Sequence, residues 1–349
     1  MRQIELEVRP IMYASLQTPR DLARTDRDRN FRDKRPEFQK HLLSAKSLTI
    51  ADVDRLCRTA EDYELGALPP PEVIGKTVAL LFFQPSTRTR MGFEAAVVAL
   101  GCHPIGMENM MASRSNERSG ETLEDCAAVI SRLSDLIVVR HHQVGAAERM
   151  AAKSLKPIIN GGDGWNEHPT QALIDIFSMR RGLGTIRGKS ICFAGDPRGR
   201  TVRSLVQLLR FENPREVVFC PPPHYDVPAD LLATLSEHQI RCRIIHSLDV
   251  PLRESDAIMM APYDMSDIGE PAASGYISPR MTPDTHRLTA ERILEADSKA
   301  LIYHPMPRLD EIDPSCDELP NAMYFEQVRL SKFMRMAVLG ELLSIGAYR

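Results

Sequence analysis

No two cysteines in this sequence are spaced as Cys-x-x-Cys; Cys57, Cys102, Cys126, Cys192, Cys220, Cys242 and Cys316 are scattered along the chain. That pattern excludes a zinc-ribbon or thioredoxin-like motif and fits reduced thiols in a cytosol-like compartment, so the expectation is a cytoplasmic protein with no metal. An excess of positive charge is also missing. Lys and Arg number 44 against 47 Asp and Glu, a net charge of −3, which offers no broad surface to nucleic acid and makes any phosphate recognition local. No apolar run reaches membrane-spanning length, and no signal-peptide core follows Met1. The first 40 residues interleave Arg20, Arg24, Arg27, Arg29, Arg32 and Arg35 with Asp21, Asp26, Asp28 and Asp33. A transit peptide would be poor in acids, so residues 1–40 read as a charged, solvated arm. A Gly-x-Gly-x-x-Gly fingerprint is absent too. The turn after Ser190–Ala194 reads Gly195-Asp196-Pro197-Arg198-Gly199-Arg200, which argues against a dinucleotide, and no cofactor is expected.

What is present is ordinary globular material, 349 residues with 43% hydrophobic and 26% charged, enough for about two domains with their own cores. One stretch organises the rest. Thr77-Val78-Ala79-Leu80-Leu81-Phe82-Phe83 is a continuous apolar run of buried-strand type. After it, Met91, Ala95, Val98 and Ala99 recur at helical spacing, with Arg90 four residues before Glu94. Ser86-Thr87-Arg88-Thr89 therefore falls where a strand ends and a helix begins. There the unpaired N–H groups and the positive dipole end favour an anion. Three hydroxyls and two guanidiniums within residues 86–90 suit phosphate oxygens. The plain alternative is a Ser86 N-cap followed by solvated arginines.

Further along, Thr49 is a candidate N-cap, and Leu123, Ala127, Ile130 and Leu133 mark another helix. Leu136–Val139 is a second buried strand, and Arg140 just beyond it points at the crevice where open α/β sheets hold ligands, or else sits on the surface. Pro157–Gly164 is a strand with a Gly-rich turn. His168-Pro169-Thr170-Gln171 then opens a helix, with Pro169 suited to its first turn and Gln171 one turn along from His168. Alone, a His in this position is more often a structural cap than a catalyst. From residue 187 strands and helices alternate: Ser190–Ala194, Val217–Cys220, Cys242–His246, Ala257–Met260 and Leu301–Tyr303 are the strands. A last helix, from Tyr324 to Leu343, carries Phe325, Val328, Met336, Leu339 and Leu343 for packing back across the first half.

Five motifs occur in order: Phe83-x-Pro85-Ser86-Thr87-Arg88-Thr89-Arg90, Arg140-His141, His168-Pro169-Thr170-Gln171, Gly199-Arg200-Thr201 and His304-Pro305-x-Pro307-Arg308. The set resembles the aspartate/ornithine carbamoyltransferases over about residues 40–346. Gln171-Ala172-Leu173, Gly120-Glu121-Thr122 and His-Pro-x-Pro-Arg are similar to the aspartate branch. The resemblance implies an α/β fold of two doubly wound parallel-sheet domains with helices on both faces. It implies a carbamoyl-phosphate domain over 41–180, an acceptor domain over 181–321, and a C-terminal helix, 322–349, returning to the first. It further implies a homotrimer with shared active sites, compatible with a higher assembly, acting on carbamoyl phosphate and an amino-acid acceptor, with neither nucleic acid nor membrane as partner. Carried over by motif, Ser86, Thr87, Arg88 and Thr89 would hold the phosphate, with Ser115 reaching in from a neighbouring subunit. Arg140, His168 and Thr89 would donate to the carbamoyl oxygen, while Gln171 and the carbonyls of Pro305 and Met306 would accept from the carbamoyl amino group. The implied catalytic set is thus Arg88, Thr89, Arg140, His168 and Gln171. Arg200 would bind the acceptor's α-carboxylate.

Three positions depart from the aspartate pattern. Ser119 stands where a Lys precedes Gly-Glu-Thr, and neither Arg114 nor Arg118 is in register to replace it. Pro262 and Asp264 stand where an Arg and a Gln bind the acceptor's side-chain carboxylate; Asp264 would repel such a group. Gln84 replaces a Glu. Either Arg280 or Arg203 completes an aspartate site, or the acceptor is a different amine facing Asp264, or the chain is a silent paralogue that binds a working partner. The expected product with aspartate is N-carbamoyl-aspartate, a step of pyrimidine biosynthesis.

Overall fold

The computed structural model describes residues 40–107, 109–113, 119–222, 225–262 and 282–345. In chain order the elements are α1 (Ile50–Glu64), β1 (Thr77–Phe82), α2 (Thr87–Ala99), β2 (His103–Met107), α3 (Leu123–Ile130), β3 (Leu136–His141), α4 (Ala146–Ala151), β4 (Ile158–Asp163) and α5 (Pro169–Leu183). Then come β5 (Ser190–Ala194), α6 (Arg200–Glu212), β6 (Glu216–Cys220), α7 (Ala229–Glu237), β7 (Arg241–Ile244), α8 (Asp249–Glu254), β8 (Ala257–Met260), α9 (Ala290–Glu295), β9 (Leu301–Tyr303) and α10 (Tyr324–Ile345).

The strands form two all-parallel sheets, ordered β2-β1-β3-β4 and β7-β6-β5-β8-β9. Both faces of β1, β3, β4, β5, β6 and β8 are covered, as the unbroken apolar runs among them require. On one face of the first sheet, Ala79, Leu81, Ile137 and Val139 pack against Leu123, Cys126 and Ala127 of α3 and Ala146, Ala147 and Met150 of α4. The alternating residues Val78, Leu80, Phe82 and Val138 are buried toward the other. In the second sheet, Cys192, Val218, Ile258 and Ile302 meet Leu252 of α8, Ile293 of α9 and Tyr324 of α10. Phe193 and Phe219 stack across the opposite face at 5.5 Å. Helix α10 leaves the second sheet and packs on α1, α2 and α5. This is the two-sheet α/β architecture with a returning C-terminal helix that the patterning predicts.

Each sheet reverses its winding once, between β1 and β3 and between β5 and β8. The carboxyl ends of parallel strands at such a reversal leave a crevice, because the following connections diverge to opposite faces. The 86–90 motif follows β1, Arg140 lies in the last residues of β3, and the turn leading to Arg200 follows β5.

Several local expectations need correction. Met91 and Val98, read as the inward face of α2, are 62% and 63% exposed, and the buried face is Thr89, Phe93, Ala96 and Val97. From Ala95 to Ala99 the helix is apolar on every side, so spacing alone does not choose the inward face. In α10, Phe325 and Val328 are exposed while Met336, Leu339 and Leu343 are buried. Strand β2 was not anticipated: Pro104 and Gly106 interrupt its apolar pattern, and every residue in it is exposed. Thr49 does cap α1, in a reciprocal box with Asp52: Asp52 N–H donates to Thr49 Oγ1 at 3.2 Å, and Thr49 N–H to Asp52 Oδ2 at 2.9 Å. All seven cysteines are unpaired.

Candidate active site

Ser86 occupies the N-cap position of α2 without capping it. Its hydroxyl lies 3.0 Å from Thr89 Oγ1 and donates there rather than accepting from a backbone N–H. The first-turn amides of α2 are thereby left for an external anion, which answers the plain N-cap alternative. Thr87 and Arg88 are exposed at this helix end, Thr89 is buried, and Arg90 turns away to pair with Glu94 at 3.0 Å.

Arg140, at the end of β3, is only 8% exposed. Its Nη1 donates to Gly161 O at 3.0 Å, while its Nε is buried with no acceptor among the described residues. Burial, then Arg200 and Arg88, push its pKa well below the usual guanidinium value. A cation held under that strain gains most from a bound dianion, which supplies the missing counter-charge.

The carboxyl end of β4 gathers these groups. Asn160 fixes it, donating to Asp163 Oδ1 at 2.8 Å and accepting from Gly162 N–H at 2.8 Å. Asp163 also accepts from the N–H groups of Gly145 and Glu167. Gly162 lies at φ +114°, and a Cβ placed there would stand 2.7 Å from Arg140 Nη1, 3.4 Å from Arg200 Cζ and 3.4 Å from His168 Cδ2. A Cβ on Gly161 would stand 3.6 Å from Thr89 Cγ2. Thr89, Arg140, His168 and Arg200, from four separate segments, therefore surround one dipeptide.

His168 precedes α5 and is buried; its N–H donates to Ser204 Oγ at 2.9 Å and its Nδ1 lies 3.3 Å from Thr170 Oγ1. Burial, then Arg140, Arg200 and Arg335, hold its pKa well below the ordinary imidazole value. The ring is neutral at physiological pH. When Thr170 donates to Nδ1, the proton resides on Nε2, making that atom a donor. Gln171, one turn on, donates through Nε2 to Asp175 Oδ1 at 2.7 Å. Arg200 begins α6, and its Nη1 donates to Gly164 O and, at 3.4 Å, to Gln84 Oε1. Burial lowers its pKa to about 10, with Asp163 opposing. Pro305 and Met306 follow β9 on a loop where Met306 adopts φ +57°.

Ser115 and Asp264 lie outside the described residues, as do Arg114, Arg118 and Arg280. Arg203 is engaged with Asp230. Ser119 donates to Ser113 O at 3.4 Å. Pro262, just after β8, brings no donor. Asp175, Gln327 and Glu311 were not singled out by sequence, and His304 only as part of its motif, because what joins them is contact across long separations. Among the described residues no group of three or more His, Cys, Asp or Glu side chains could hold a metal ion.

The comparisons agree with this geometry. The model of the aspartate/ornithine carbamoyltransferase carbamoyl-P binding domain matches residues 40–181, and that of the Asp/Orn binding domain matches residues 187–342. The chain belongs to the aspartate/ornithine carbamoyltransferase family. This carbamoyltransferase is 37% identical to the aspartate carbamoyltransferase catalytic subunit of Vibrio cholerae over 317 residues, covering 88% of the chain and 97% of that protein. It is 35% identical to the catalytic subunit of Methanocorpusculum labreanum over 308 residues, covering 88% and 99%. Among solved structures it is similar to the catalytic subunit of M. jannaschii aspartate transcarbamoylase, with TM-score 0.78 and 34% identity over 89% of this chain and 100% of that one. It is also similar to the Trypanosoma cruzi enzyme in complex with carbamoyl aspartate and phosphate, with TM-score 0.73 and 29% identity over 86% and 94%.

Proposed function

We propose that this carbamoyltransferase moves the carbamoyl group of carbamoyl phosphate to the amino group of aspartate, forming N-carbamoyl-aspartate and phosphate. The observation that carries it is the set of uncompensated cations and neutral donors around Gly161–Gly162, beside an uncapped helix N-terminus. Ser86, Thr87, Arg88 and Thr89 bind the phosphoryl group with the amides of α2. Arg140, neutral His168 and Thr89 donate to the carbamoyl oxygen. As the neutral amine attacks the carbon, negative charge grows on that oxygen; the C–O bond to phosphate then breaks, and the proton shed by the amine leaves with the departing phosphate. Fixed donors at the oxygen stabilise the developing charge, and no covalent enzyme intermediate is needed. Gln171 and the carbonyls of Pro305 and Met306 accept from the carbamoyl amino group. Arg200 takes the acceptor's α-carboxylate.

In this scheme residues 41–180 with 322–349 form the carbamoyl-phosphate unit and 181–321 the acceptor unit, and the chain works as a cytoplasmic homotrimer. The exposed apolar groups Met91 and Val98 of α2 and Ile105 and Met107 of β2 support self-association, since a lone subunit would leave them in water. Among the described residues no helix is long and apolar enough to cross a membrane.

Pro262 and Ser119 favour testing a second reading, transfer to a different amine. Pure protein is incubated with labelled carbamoyl phosphate and a panel of amino acids, and ureido products are resolved. N-carbamoyl-aspartate as the main product is expected. Saturable carbamoyl-phosphate binding without product from any amine would instead make the chain a silent paralogue.

A further inference from the structure

Gln171 is not held by its own helix alone. Its Nε2 donates to Asp175 Oδ1 at 2.7 Å, and the Nε2 of Gln327, from α10, donates to the same oxygen at 2.7 Å. Asp175 is 1% exposed and Gln327 is 2% exposed. Because Oδ1 of Asp175 accepts from both amides, it fixes them with their NH2 groups inward and their carbonyl oxygens outward. The outward oxygen of Gln327 then accepts from His304 N–H at 3.0 Å. His304 continues the chain of contacts. Its Nδ1 accepts from Met306 N–H at 2.7 Å, which places the ring proton on Nε2, 2.7 Å from Glu311 Oε1. Glu311 Oε2 accepts in turn from Leu309 N–H at 3.0 Å.

This line of hydrogen bonds joins α5, α10 and the loop after β9, and its two ends are Gln171 and the Pro305–Met306 backbone. Both ends were assigned above to the same substrate group. We propose that Asp175 and Gln327 are positioning residues that align the Gln171 side-chain oxygen with the Pro305 and Met306 carbonyls as joint acceptors for the carbamoyl amino group. The proposal rests on the functional reading above and adds the means by which the two halves of that subsite are kept in step. The cost of the arrangement supports a functional role. Asp175 Oδ2 is buried with no partner among the described residues, and burial raises the Asp175 carboxyl to about 7 against the pull of the two amides. A leucine-filled contact between α5 and α10 would carry no such penalty.

The test is a double-mutant cycle on the full-length protein with Asp175→Ala and Gln171→Ala, reading kcat and the KM for carbamoyl phosphate in the ureido-product assay, with thermal melts to confirm folding. Misplacing an aligned group by about 1 Å costs about 10²-fold in rate, so Asp175→Ala is expected to lose kcat by that order. The KM should move less than about threefold, because the phosphate ligands at 86–89 are untouched. The double mutant should fall short of the product of the two single losses by at least about tenfold, since both changes disable one acceptor. Asp175→Asn keeps an acceptor and should recover most of the lost kcat. Should Asp175→Ala not fold, Gln327→Met, which preserves length and apolar volume, takes its place in the cycle with the same expectation. An active wild type whose variants keep kcat within about twofold, or whose losses multiply fully, overturns the positioning role. A wild type that makes no ureido product overturns the functional reading beneath it.

Discussion

Placing a methyl group at residue 162 probes the site at its narrowest point. Gly162→Ala puts a Cβ 2.7 Å from Arg140 Nη1, whereas ordinary contact begins at 3.4 Å, so the guanidinium must retreat by about 0.7 Å. The retreat stretches the Nη1 bond to Gly161 O, now 3.0 Å, and carries the donor away from the carbamoyl oxygen. The backbone resists as well: φ of +114° suits glycine, and a side chain there costs about 1–3 kcal/mol of stability. A donor displaced by most of an ångström should lower kcat by about 10²-fold. Thermal melting measures the first effect and ureido-product formation the second. A variant that melts earlier yet turns over within about twofold of wild type would refute the placement of Arg140 at the reacting carbonyl.

Other outcomes follow from the same geometry. Arg140→Ala should lose turnover by about 10²–10³-fold, the effect of deleting one oxyanion donor, while gel filtration shows the wild-type assembly; a near-normal rate would remove it from the catalytic set. His168 should remain neutral at and well below physiological pH, because burial and three neighbouring arginines lower its pKa, and a ¹⁵N spectrum showing imidazolium at pH 6 would contradict this. Asp175 binds its proton more tightly folded than unfolded, at about 7 against 3.8, so its contribution to stability is favourable at low pH and is lost as pH rises through that window. Asp175→Asn should accordingly flatten the pH dependence of denaturant unfolding between those values; an unchanged slope would count against the burial argument. Thr49→Ala removes one partner of the α1 capping box and should cost about 1 kcal/mol in urea unfolding without touching turnover.

The parts legible in the sequence were those whose physics is local. Ser86 to Arg90 stand out because hydroxyls and guanidiniums crowd a strand-to-helix junction, and the buried runs at β1, β3 and β5 give parallel strands at the centre of each sheet. Arg140 and His168 each had a plain structural reading until the end of β4 at Gly161–Gly162 brought them together with Arg200. Helix α2 misled because its exposed Met91 and Val98 are as apolar as its buried Phe93 and Val97. Strand β2 escaped notice because its Pro104 and Gly106 break the pattern. The link from Gln171 through Asp175 to Gln327 joins residues 152 positions apart in the chain, and no periodicity reports such a contact.

The central claim is that the groups at 86–89 grip a phosphoryl while Arg140 and His168 polarise the adjoining carbonyl. The most direct measurement is an isotope-edited infrared difference spectrum of carbamoyl phosphate labelled with ¹³C at its carbonyl and bound to the protein. The C=O stretch should move to lower wavenumber on binding and return toward the free position in Arg140→Ala. An unshifted band in a saturated wild-type complex would contradict the account.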